Sequence, residues 1–430
     1  MNQTKLKGMI LIVLMAAAGL AGCVGDEDEE TTDSGSTMDA SDGGYTYASN
    51  VDNHRSLMKD MCDIKTAASA FDFATAKDIY QHGKNAEKSD GSFRTLAGFA
   101  SAEGKAHGYD DYYGQAGSID AHITAALDGT GDFAGTSDTV RYQGVAKLTA
   151  NMGMIAYTIH ELNTAVAKAD DGNVDDDTGA PHNWDEGWAF FHGPDEDLSC
   201  APANTFKKRS ADFGTETNGV SNTLNAVETA MVDGLAALQA QDQAGYTAAT
   251  NTVVKNVIIT YTQATMKYTY KMDDADNGPK YQAEGYAFWK VIEAYTAQYT
   301  DACYNMAVHK VMYMGDIDAA TCDAFIWTNG SQDADGPADT CYNTATHMVS
   351  TDVSNETECD GYSSMYFQDK YGAEKINEIV NLQDATQLGQ SYDIAPYLQM
   401  VLAHYGITAD ELGTYCLLYT SPSPRDAHKS

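Results

Sequence analysis

The sequence predicts a mostly α-helical protein made of two related helical lobes, with disulfide-tied loops toward its C-terminal end. Three observations predict it. Long stretches carry apolar residues at steps of three and four, alternating strand patterns are scarce, and one motif occurs twice. The motif reads Trp184-Asp-Glu-Gly-Trp-Ala-Phe-Phe191 and again Glu284-Gly-Tyr-Ala-Phe-Trp289. Each copy follows a helical pattern and an acidic loop, Asp170–Gly179 in the first case and Asp273–Gly278 in the second. Helix, acidic loop and Glu-Gly motif in the same order read as an internal duplication. The expected lobes span 51–220 and 221–415 and face each other across a cleft.

The chain begins with a targeting pattern. Lys5 and Lys7 precede the apolar run Met9–Leu20, too short for a good membrane span. Leu20-Ala-Gly-Cys23 resembles a lipoprotein processing box, so residues 1–22 read as a signal peptide and Cys23 as the lipidated residue. One acyl group binds a bilayer only marginally, so more than one is expected there. Residues 23–50 are acidic and rich in Ser, Thr and Gly, and read as a disordered linker. The expected location is outside the cytoplasmic membrane, lipid-anchored at the cell surface or in the periplasm. At the other end, Cys416-Leu-Leu-Tyr-Thr-Ser-Pro-Ser-Pro-Arg-Asp426 resembles a translated sequencing adapter, and residues 416–430 are expected to be non-native.

Between these ends the elements succeed one another. Residues 53–73 are helical through Leu57, Met58, Met61 and Ile64. Gly83, Asp90 and Gly91 mark turns, residues 103–117 read as a loop, and Ser118–Leu127 as a short helix. Thr139–Lys168 is the clearest helix. Val145, Leu148, Met152, Ile155, Ile159, Leu162 and Val166 make one apolar stripe. Its other face holds Ala146, Ala150, Gly153, Tyr157 and Glu161 beside His160, so burial on two sides is expected, with Tyr157, His160 and Glu161 as neighbours. Further helices are expected at Trp184–His192, Val220–Ala240, Asn251–Met272, Tyr286–Met314, Lys370–Leu382 and Ile394–Tyr405, around a loop-rich, disulfide-tied segment at Ala320–Thr357. Setting aside Cys23 and Cys416, the cysteines are Cys62, Cys200, Cys303, Cys322, Cys341 and Cys359. They predict three disulfides among 15 possible pairings.

At 430 residues the chain has ample length for a core, and its 26 Lys+Arg against 62 Asp+Glu give a net charge of −36. Such a field repels nucleic acid and attracts cations. Its plainer reading is solubility. The 27 tyrosines against 12 phenylalanines add phenol oxygens to that acidic chain, a composition suited to a hard cation. Enzyme signatures are missing. His160-Glu161 has Thr at position 164 where a two-histidine zinc face needs its second His. There is no Gly-x-Ser-x-Gly elbow, phosphate-cradling loop or dinucleotide fingerprint. The reading is therefore a non-enzymatic binding protein.

Three constellations can bind. The acidic loop Asp171-Gly-Asn173-Val-Asp175-Asp-Asp177 alternates oxygen ligands as calcium loops do, but lacks the sharp-turn Gly and closing Glu of an EF-hand; it reads as a solvated turn or a weak Ca²⁺ site. Glu186 and Glu284, each beside Gly and between aromatics, are carboxylates in partly dry walls, either paired locally or metal ligands. Lys84, Lys88 and Arg94 form a small basic cluster around a turn, able to grip an oxyanion or to pair with nearby acids.

Several of these stretches together resemble the low-iron-inducible periplasmic iron-assimilation family, whose members include the phytotransferrins. The matching pieces are Ile79-Tyr-Gln-His-Gly-Lys-Asn-Ala-Glu-Lys-Ser-Asp-Gly-Ser-Phe-Arg-Thr-Leu96, Trp184–Phe191, Lys207-Lys-Arg209 and Glu284–Trp289, spread over roughly residues 75–310. The lipoprotein start and acidic linker depart from that pattern. The resemblance implies an extracytoplasmic protein that binds ferric iron, with carbonate as a synergistic anion, and hands it to a downstream permease or receptor. The residues agree independently, because Fe³⁺ takes phenolate, carboxylate and imidazole. Candidate ligands are Tyr157, His160, Glu161, Asp185 and Glu186, with Lys84 or Arg94 holding the anion. Tyr261, Tyr268, Glu284 and Tyr286 are the second-lobe counterparts, leaving one site or two open. Two other classes stand beside this one: a calcium-stabilised surface or adhesion lipoprotein, and a substrate-binding lipoprotein with a Trp- and Tyr-lined pocket for an organic ligand.

Overall fold

In the computed structural model the described residues are 41–105, 107–195, 198–305, 309–312, 318–328, 337–350, 353–360 and 365–415. The signal peptide, Cys23 and residues 416–430 lie outside them. The chain is mostly α, as the periodicity predicts. Helix α1 (Asp52–Ser69) buries Leu57, Met58, Met61 and Ile64 and packs on α2 (Phe73–His82). After α3 (Ser118–Asp128), the long stripe folds as α4 (Asp138–Lys147), a π-helical turn over Leu148–Gly153, and α5 (Met154–Asp170). An extra residue in a π turn rotates the helix beyond it, a device common beside functional sites. Helix α5 forms a hairpin with α6 (Ala180–His192), which carries the first motif. Helix α7 (Pro202–Phe213) leads to α8 (Asn222–Gln239) and to α9 (Gln243–Tyr270). Helix α9 forms the second hairpin with α10 (Gly278–Thr296), which carries the second motif.

The halves share one core rather than facing each other across a cleft. Buried apolar residues run continuously from Tyr45 to Leu412. Helix α10 packs against α4 and the π turn, and α9 against α5. Close approach depends on small residues, as the second face of the long helix predicts. A Cβ on Gly153 would sit 2.9 Å from Leu96, and one on Gly187 3.0 Å from Leu162. Gly193 ends α6 at φ +74 against Met58, a conformation only glycine adopts cheaply.

Several boundaries differ from expectation. The predicted helix at Tyr286–Met314 begins at Gly278 and stops at Thr296, because Gly278-Pro279 opens it and Ala302–Asn305 turns into a strand. That strand lies between Met365–Gln368 and Lys310–Met312. Residues 107–113, read as loop, form a short helix whose Tyr109 is buried and donates to the Val291 carbonyl. The last ten residues of the expected linker are also folded. Tyr45 and Tyr47 are buried, and Ser41–Asp42 pairs with Tyr45–Thr46 as a small hairpin against α6. The cysteines pair as Cys62–Cys200, Cys303–Cys322 and Cys341–Cys359; the last two form a small cystine core of their own. No helix among the described residues is long and apolar enough to cross a membrane.

Candidate metal centre

The first Glu-Gly motif sits where α1, α5 and α6 meet. Glu186 Oε1 lies 2.9 Å from His54 Nε2 of α1 and 3.0 Å from His182 Nε2, one turn earlier on its own helix. Across the hairpin, Glu161 of α5 receives a hydrogen bond from Asn183 Nδ2 at 2.7 Å, and the same amide reaches Glu186 Oε2 at 3.3 Å. One amide thus spans two buried carboxylates. The carbonyl oxygen of that amide, Asn183 Oδ1, is buried with no hydrogen-bond partner, an oxygen available to a hard cation. Tyr157 stands one turn before Glu161. Its ring is sandwiched between Phe99 at 3.9 Å and Phe190 at 3.8 Å, and its hydroxyl accepts from Arg94 Nη1 at 3.2 Å. Arg94 Nε is held by Asn53 at 2.8 Å. His160 Nε2 is 4.0 Å from Glu161 Oε1.

Burial and neighbours separate the two carboxylates. Burial, reinforced by the Glu186 charge, pushes the Glu161 carboxyl well above its ordinary range. Burial acts on Glu186 too, but the His54 and His182 imidazoles outweigh it and hold Glu186 well below that range. The two carboxyls therefore titrate as a pair, with Glu161 the one pushed toward its protonated form and Glu186 the one held toward its charged form. Burial also raises the Tyr157 phenol, against the opposing pull of Arg94.

Asp185, next to Glu186 in sequence, points elsewhere. It accepts from Tyr45 Oη at 2.6 Å and from Ser49 N and Oγ at 2.7 and 2.8 Å, and burial raises it to about 6. Ser49 Oγ lies 2.8 Å from His182 Nδ1. Its single proton goes to Asp185, so it accepts from Nδ1–H and aims His182 Nε2 at Glu186. This is the outer-shell orientation usual for a ligating imidazole.

The structure thus brings together Tyr157, His160, Glu161, Glu186 and Arg94 from the sequence-predicted set, and adds His54, His182 and Asn183. His182 was legible as the residue four positions before Glu186. His54 has no local signal, since α1 reaches the motif only through tertiary packing. Lys84 is committed to Asp63 at 2.8 Å. The second-half residues do not converge. Glu284 pairs with Lys147 at 3.4 Å, Tyr261 donates to Asn151, Tyr286 to Asp132, and Tyr268 lies beside Arg209. Among the described residues no three His, Cys, Asp or Glu side chains already stand around a common ion position; the Asn183 amide donates to both carboxylates instead.

In the acidic loop, Asp175 Oδ1 is taken by Asp177 N, Thr178 N and Thr178 Oγ1, and Asp274 Oδ1 by Asp276 N and Asn277 N in the second loop. Both loops close as carboxylate-capped turns. A groove between α8 and α9 is lined by Ala226, Ala230, Asp233, Ala237 and Ala249, without aromatics.

The sequence model of a family described as low iron-inducible periplasmic protein matches residues 10–314, more than half of the chain. No curated protein and no solved structure matches it.

Proposed function

The chain belongs to the low iron-inducible periplasmic protein family, and from that membership and the buried Glu161–Glu186 pair we propose that it captures ferric iron outside the cytoplasmic membrane. It does so as a binding protein rather than an enzyme. The observation that carries this reading is the pair itself: two buried glutamates bridged by the Asn183 amide beside a buried phenol and two imidazoles. Ferric iron is small, hard and triply charged. It displaces the Glu161 proton and the bridging amide, and takes Glu161, Glu186 and Tyr157 as anionic oxygens with His54 and His182 as nitrogen donors. A coordinated phenol ionises despite burial because the cation outweighs the desolvation cost. Arg94, beside Tyr157, holds a carbonate that completes the shell. The net charge of −36 draws cations toward the site, and lipidation of Cys23 tethers the protein to the membrane from which a permease or receptor takes the cargo.

The test is spectroscopic. Ferric iron with bicarbonate is expected to give the wild-type protein a visible tyrosinate-to-iron absorption band. Tyr157→Phe removes the band, and Glu186→Gln weakens it with loss of bound iron. A wild-type protein that stays colourless, or a band unchanged in Tyr157→Phe, defeats the proposal.

A further inference from the structure

Around the second motif the polarity is reversed. Arg209 of α7 is only 5 % exposed, yet its Nε and Nη1 have no well-formed hydrogen bond; Nη2 pairs with Asp212 at 2.8 Å, and the guanidinium also faces the Tyr268 hydroxyl. Lys267 of α9 shares that carboxylate at 2.8 Å. Arg209 Cζ and Lys267 Nζ lie 5.6 and 5.7 Å from the Tyr268 ring centroid. Beyond Tyr268, Glu284 is paired with Lys147, whose side chain is 19 % exposed and opens the cluster to solvent. The Arg209 charge lowers both ammonium groups, after burial in each case, so the three cations are near neighbours. Three cations thus face two carboxylates in a chain that is otherwise strongly acidic. A buried guanidinium with idle donors is costly unless something accepts from them.

We propose that Arg209, Lys147 and Lys267 form a binding site for a small oxyanion of the phosphate type, taken up between α4, α7 and α9 beside Tyr268. Arg209 Nε and Nη1 donate to its oxygens, and the lysine ammoniums supply charge. The Asp212 and Glu284 carboxylates keep the cations in place before it arrives, and a net excess of positive charge is left for the anion. This site is separate from the Glu161–Glu186 centre and does not depend on the iron reading.

The experiment titrates the full-length chain with inorganic phosphate, by calorimetry and by melting temperature, against chloride at matched ionic strength. Saturable binding that stabilises the protein is expected for phosphate only. Arg209→Lys keeps the charge and the Asp212 partner but loses the idle donors, and is expected to weaken binding about tenfold or more. Should that variant fail to fold, Lys147→Gln gives the second reading, with the same loss expected. Glu186→Gln is expected to bind phosphate as wild type does. The proposal is overturned if chloride reproduces the stabilisation, if phosphate shows no saturable binding, or if the folded variants bind it undiminished.

Discussion

The two Glu-Gly motifs are the same sequence device set in opposite electrostatic surroundings. Glu186 faces two imidazoles and a second carboxylate, while Glu284 faces Lys147. Packing shows which residues exchange places. Gly187 rests on Leu162 and the Thr158 carbonyl, and Gly285 on Tyr268 and Thr269. Tyr268 thus stands near Glu284 as Glu161 stands near Glu186, a phenol where the first motif has a carboxylate. At the position of His182, four residues before the glutamate, the second motif has Lys280. The first motif therefore collects carboxylates and imidazoles, and the second collects cations. A shared motif fixes the helix hairpin; the residues facing it decide the chemistry.

The sharpest break between the two is a pair of amide substitutions. Glu186→Gln is expected to lower iron affinity about 100-fold or more, since a ligand charge and the anchor of two imidazoles go together. Glu284→Gln is expected to leave iron affinity within about threefold while lowering the melting temperature, because Lys147 loses its partner. Equilibrium competition against a ferric chelator measures both. Equal losses would mean that both motifs hold iron.

Acidity sharpens the same contrast. Glu161 keeps its proton at pH values where an exposed glutamate has lost it, so iron has to displace that proton. Iron affinity is expected to fall as pH drops, because Tyr157 gives up its phenol proton to the iron, and to fall about tenfold per unit more steeply below the raised Glu161 value, where the Glu161 proton has to leave as well. Glu161→Gln removes that added steepness along with much of the affinity. The sign for folding is opposite for the two residues. The iron-free protein loses the Glu161 contribution as pH rises from the ordinary carboxylate range through the raised value. It loses the Glu186 contribution as pH falls through the depressed one. Urea titrations across that range measure the stability slope.

Local pattern makes one half of this centre legible and hides the other. The long stripe and its second face place Tyr157, His160 and Glu161 on one helix surface, because a period of 3.6 residues is a local property. The repeated motif marks Glu186. Asp185 does not join it, because adjacent helical residues point about 100° apart; its oxygens hold Tyr45 and Ser49 of the small N-terminal hairpin. Tyr261 and Tyr286 group with Glu284 by position in the repeat, yet their hydroxyls turn to Asn151 and Asp132. His54 reaches Glu186 from a helix more than a hundred positions away in sequence, a contact no periodicity encodes. The single core through both hairpins is hidden in the same way, since sequence order separates halves that packing joins.

A smaller difference between the hairpins lies in their glycines. A Cβ on Gly187 would meet Leu162 Cδ2 at 3.0 Å with the Thr158 carbonyl at 3.4 Å, whereas one on Gly285 would come no closer than 3.4 Å to Val380, 3.7 Å to Tyr268 and 3.9 Å to Thr269. The first contact obliges the buried Leu162 side chain to give by a few tenths of an ångström in a filled core, costing about 1–3 kcal/mol as overpacking does. The second is ordinary van der Waals contact, and alanine is the better helix former by up to about 1 kcal/mol. Gly187→Ala is therefore expected to lower the melting temperature and, by shifting Glu186 against Glu161, to weaken iron binding as well. Gly285→Ala is expected to leave both unchanged or to raise the melting temperature slightly. Thermal unfolding of the two variants in parallel decides it. If Gly285→Ala proved the more damaging, the second hairpin would be the tighter of the two, and the assignment of the metal centre to the first would lose its packing argument.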